Sequence, residues 1–148
     1  MAKVSSSIKK MHFIEIVLIL SIVVGTIVRY EYGFQSYFFL KIFCISLALV
    51  YFPFGFYFIG KPTKNYSNSI SIVLGFIYSL GVMAILISEL NIDSYRYPLI
   101  ADFFILAAVV GYLLYMLRSA EYPRVYINAQ LIRIAFIVVT SLFILIAK

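Results

Sequence analysis

The sequence has no tryptophan, one cysteine, one histidine and six acidic residues in 148 positions, and each shortage removes a class of function. The lone cysteine, Cys44, can form no intramolecular disulfide, and its place inside an apolar run suits a small buried side chain. The lone histidine, His12, excludes paired-histidine haem ligation. It stands beside Lys9 and Lys10 at the edge of an apolar run, which marks it as an interfacial residue. An enzyme needs a nucleophile with a base, a metal constellation or two carboxylates within reach. The pattern assembles none of these, so no catalytic residue, metal or cofactor is expected. Charged residues make up 12% of the chain, against roughly 25% in soluble domains.

Apolar residues are what the chain has in quantity. They account for 64% of it, and the mean hydropathy is +1.05. A helix spans a hydrocarbon core of roughly 30 Å with about 20 apolar residues. Five runs meet that requirement, at about 11–29, 37–59, 69–90, 99–117 and 125–147. The expected fold is therefore an all-α integral membrane protein, a compact bundle of five transmembrane helices forming a single domain over residues 1–148. No small-x-small cleavage site follows the first run, which reads as an uncleaved signal anchor. Pro123 stands where a helix start tolerates proline. In the second run Pro53 and Gly55 interrupt an aromatic cluster and predict a kink.

The basic residues orient the bundle. Lys3, Lys9, Lys10, Lys61, Lys64, Arg118 and Arg124 fall on one side of the expected crossings, and Arg29 and Arg96 on the other. Because cytoplasmic loops carry the Lys and Arg excess, the N-terminus is expected inside and the C-terminus outside. The bacterial cytoplasmic (inner) membrane is the expected location. The net charge of +6 serves topology and interfacial anchoring and implies no nucleic-acid partner. With no tryptophan, an interfacial belt falls to tyrosine, with Tyr30, Tyr32, Tyr37, Tyr95 and Tyr97 at outer ends and Tyr57, Tyr66, Tyr122 and Tyr126 nearer the inner ends.

Four ionisable residues lie inside the runs: Glu15, Lys41, Asp102 and Arg133. Each costs at least ~2.5–3.5 kcal/mol near the bilayer centre unless it finds a partner, a wet cavity or the interface. Glu15 lies roughly 6 Å inside the cytoplasmic start of the first helix, and Arg133 enters the fifth from the same face. Lys41 and Asp102 each sit about one turn below the outer boundary. Sign and depth thus predict two interhelical pairs, Glu15 with Arg133 and Lys41 with Asp102. Snorkelling is the plain alternative for the long Lys41 and Arg133 side chains, but it suits the short Asp102 poorly and Glu15 only in part. A proton or ion site on Glu15 or Asp102 is the functional alternative.

Small residues recur at helical spacing, as close approach of membrane helices requires. Ser67, Ser71, Gly75 and Ser79 mark the third run, Ser21 and Gly25 the first, and Ala107 and Gly111 the fourth. Such stripes serve packing inside a bundle or contact with another subunit. The expected function is that of a noncatalytic membrane subunit that assembles, anchors or regulates a larger membrane protein complex. Its partners would be the lipid bilayer and other membrane subunits or further copies of itself. A small homo-oligomeric transporter or channel using Glu15 or Asp102 is the alternative.

Overall fold

The structure is a computed structural model describing residues 2–32, 38–52, 69–90, 94–118 and 123–147; in the first helix, side chains are described from Lys10 onward. The described residues form five helices and no strand: α1 (Ala2–Tyr32), α2 (Phe38–Tyr51), α3 (Ser69–Glu89), α4 (Arg96–Arg118) and α5 (Arg124–Ala147). Four of them, α1, α3, α4 and α5, are long and apolar enough to cross a membrane and point to a membrane protein.

Helix ends differ from the hydropathy boundaries for local reasons. The helix α1 begins at Ala2, not near residue 11, because AKVSSSIKK contains neither glycine nor proline to stop it, while its apolar part runs over Lys10–Tyr32. In α4 the first turn takes in Pro98, so the helix starts at Arg96 instead of Leu99. A proline costs little there, because the first-turn N–H groups have no intrahelical acceptor. Pro123 precedes α5 and accepts from the N–H groups of Tyr126 and Ile127 at 3.0 and 3.3 Å, closing its first turn.

Of the expected second run, 37–59, the structure describes α2, a helix of 14 residues. Its described length is about 21 Å. Its last turn closes with Phe52 N–H donating to the Ala48 carbonyl at 2.9 Å, immediately before the proline that disfavours helical geometry in the preceding residue. The expected kink at Pro53 and Gly55, the rest of that run, and Ser67 of the third run's stripe lie outside the described residues.

Contacts between helices define a ring and an outlier. The ring is α1, α2, α3 and α5, each touching the next and α5 closing back onto α1; α4 lies outside it in the groove between α3 and α5. Two contacts make α1 and α5 parallel: Glu15 meets Arg133 near their starts, and Tyr30 meets Phe143 near their ends. The core inside the ring includes Ile22, Leu40, Leu47, Tyr51, Tyr78, Ile85 and Ile137. Helix α4 buries one narrow stripe, Leu99, Asp102, Leu106, Val109, Leu113 and Met116, which is the spacing of a single helix face. Its other face, with Phe104 and Tyr115, is exposed.

Small and aromatic residues sort by which helices touch. Gly25 is buried, with Leu40 of α2 at 3.2 Å from where its Cβ would stand. Ser71 and Gly75 are buried on α3, whereas Ser21 and Ser79 are half-buried. Ala107 and Gly111 are exposed, and nothing lies within 4 Å of the Gly111 Cβ position, so this pair packs against no other helix of the bundle. Among the expected belt tyrosines, Tyr32 and Tyr97 point outward, while Tyr95 and Tyr126 turn into the bundle. Tyr37, Tyr57, Tyr66 and Tyr122 lie outside the described residues.

Candidate functional site

A polar network fills one half of the ring. Arg133 donates from Nε to Glu15 Oε1 at 2.6 Å and from Nη2 to Glu15 Oε2 at 2.9 Å. This is the two-pronged geometry in which a guanidinium matches a carboxylate, and charge assistance makes both bonds strong. Both side chains are 5% exposed. The pair ties α1 to α5 from opposite sides of their shared seam.

Three further side chains enclose it. Arg133 Nη1 lies 3.4 Å from Gln130 Oε1, which also accepts from the Tyr78 hydroxyl at 3.1 Å. Tyr51 stands edge-on to Tyr78, ring centres 5.6 Å apart, with its phenol under the electrostatic influence of both Glu15 and Arg133. Every helix of the ring therefore contributes: Glu15 from α1, Tyr51 from α2, Tyr78 from α3, and Gln130 and Arg133 from α5. At the edge, His12 Nδ1 lies 3.3 Å from Glu15 Oε2, and the imidazole is 42% exposed. It links the closed network to the surface.

A second pair holds the opposite end. Arg29 of α1 is ion-paired with Glu89, the last residue of α3, and its Nη1 also donates to the Glu89 carbonyl oxygen at 3.2 Å. That carbonyl belongs to a helix terminus with no intrahelical donor, and a cation suits that negative end. Since α1 and α3 face each other across the ring with no close backbone approach, Arg29 spans its diagonal. Sequence reasoning placed Arg29 only among the outer-side basic residues and missed its pairing with Glu89. The available signal was their opposite charge at the ends of two runs of the same direction. Tyr51, Tyr78 and Gln130 were missed because nothing in their local sequence distinguishes them from packing residues.

Lys41 and Asp102 are not brought together. Their helices, α2 and α4, share no contact, because α3 and α5 stand between α4 and the rest of the ring. Depth is one coordinate and order around the bundle another, and the expected pair satisfied only the first. Lys41 is half-buried. Asp102 is 5% exposed, and its Oδ1 has no hydrogen-bond partner.

Among the described residues, no group of three or more His, Cys, Asp or Glu could hold a metal. Cys44 is fully buried in the core. An apolar groove of about 530 Å³ runs between α3 and α4, lined by residues including Ile70, Val73, Ile77, Ile105, Ala108 and Tyr112. It opens sideways, through the exposed Val73, Ile105 and Tyr112. Chemically, the network neutralises and immobilises charge inside the ring. No protein-family model, no curated protein and no solved structure matches this chain.

Proposed function

We propose that this chain is a noncatalytic subunit that crosses the bacterial cytoplasmic membrane five times, N-terminus inside and C-terminus outside, and assembles, anchors or regulates a larger membrane protein complex. The observation that carries the reading is the position of α4 outside a closed ring, with Ala107 and Gly111 on its free face. Small residues on a lipid-facing stripe let a second helix approach to backbone distance. The charge distribution supports the same reading, since two ion pairs are spent on holding the ring together instead of lining a path through it.

Gentle extraction and copurification, read by mass spectrometry, tests the proposal. A larger membrane partner should copurify with the native chain. Replacing Ala107 and Gly111 together by leucine should release that partner without destabilising the bundle itself by more than about 0.5 kcal/mol, as for surface substitutions elsewhere. The unpartnered Asp102 favours a second reading, a small homo-oligomeric transporter or channel. A stable homo-oligomer that moves an ion or solute in liposomes and requires Glu15 or Asp102 would sink the subunit reading.

A further inference from the structure

Three carboxylates are buried among the described residues, and one of them stands apart. Glu15 and Glu89 each face an arginine. Among the described residues Asp102 has no ion-pair partner; it is 5% exposed, and its Oδ1 has no hydrogen-bond partner there. Its place is nevertheless shaped for it. A Cβ added to Gly81 of α3 would come within 3.0 Å of Asp102 Oδ2, 3.2 Å of Oδ1 and 2.8 Å of Ile137 Cγ2 of α5. The carboxyl group therefore lies on bare helix backbone, in a cradle that only glycine leaves open, at the junction of three helices.

Among the described residues, the charged groups on the three packed helices are paired elsewhere or lie at helix ends. On α3, Tyr78 bonds Gln130 and Glu89 faces Arg29. On α5, Arg133 is committed to Glu15, Arg124 is exposed at the helix start, and the buried Tyr126 and Ser141 hydroxyls carry no positive charge. On α4 itself, Arg96 donates to the Tyr95 oxygen at 3.2 Å. An ionised carboxylate without a partner is far more costly in apolar surroundings than the neutral acid, which must place only one O–H and one carbonyl.

We propose that Asp102 is a proton-binding site, its carboxyl carrying a proton while α4 is seated against α3 and α5 and releasing it only when α4 parts from them. The proposal goes beyond the subunit reading and holds under either reading of function. It gives α4, the helix outside the ring, a seating that responds to proton supply.

Dicyclohexylcarbodiimide, a lipid-soluble reagent for protonated carboxyl groups, tests this on the full chain in liposomes. The acid proton moves to a carbodiimide nitrogen and the carboxyl oxygen bonds to the central carbon. The acyl group then migrates to nitrogen, giving a stable N-acylurea with no leaving group. Peptide mapping by mass spectrometry should find the adduct on Asp102, absent from Glu15 and Glu89, and it should disappear as the pH is raised. Asp102→Asn should abolish labelling. Infrared spectra should show a protonated-carboxyl C=O band that shifts in D₂O and is lost in D102N. No adduct on Asp102 at any pH, or equal labelling of Glu15 or Glu89, would overturn the proposal. Should Asp102→Asn fail to accumulate, peptide mapping of the native chain decides alone.

Discussion

Glu15 and Asp102 are buried to nearly the same degree, 4% and 5% exposed, yet their surroundings are opposite. Glu15 meets a guanidinium through two bonds, backed by Gln130 and flanked by tyrosines from two other helices. Asp102 lies against Gly81, and its Oδ1 has no hydrogen-bond partner among the described residues. Burial alone therefore says little about what a carboxylate does. The Glu15 centre locks the ring, and the Asp102 centre sits where the outlying helix joins it. Partnering, not depth, separates a fixed structural charge from a site that exchanges something.

The sharpest way to break this contrast is to remove the partner of Glu15. Arg133→Leu strands a buried carboxylate and should cost about 3–5 kcal/mol, read as a large fall in thermal unfolding temperature in detergent. Replacing both residues by leucine should recover much of that loss, because paired charges can be exchanged for apolar groups more cheaply than one can be orphaned. A double mutant as unstable as the single one would show that the pair does more than neutralise itself.

Gly81→Ala probes the other side. The added methyl would press on Asp102 and Ile137, and overpacking of this kind costs about 1–3 kcal/mol. Gly111→Ala, on the open face of α4, should instead leave stability unchanged or raise it by up to about 1 kcal/mol through helix propensity. Equal effects at the two glycines would mean that the cradle is not specific. A modest loss is expected from Tyr78→Phe, which removes the donor to Gln130 and should cost about 0.5–1.5 kcal/mol in the same unfolding measurement.

Much of this architecture was legible from pattern. Apolar runs located the helices because the 3.6-residue backbone satisfies its own hydrogen bonds, the condition for surviving in lipid. The boundaries at Arg96 and Ala2 were not legible, since hydropathy sees the apolar part of a helix and not its polar turns. In α2, Pro53 predicted an interruption, but the described helix already ends at Tyr51. Within the candidate site, Glu15 and Arg133 announced themselves as charges where charge is costly. Tyr51, Tyr78 and Gln130 did not, because a tyrosine or glutamine on an apolar face reads as ordinary packing until its neighbour is known.

The same sign-and-depth logic that placed Glu15 with Arg133 placed Lys41 with Asp102, and only the first two meet. Composition, run length and charge position determine by themselves an all-helical chain with apolar exteriors and a few costly interior charges. These properties are set locally, by what each residue requires of its surroundings. Which charges find each other, that α4 lies outside the ring, and that Asp102 rests on Gly81 were decided only by the tertiary structure. The order of helices around a bundle is a collective outcome of packing, and no single segment encodes it.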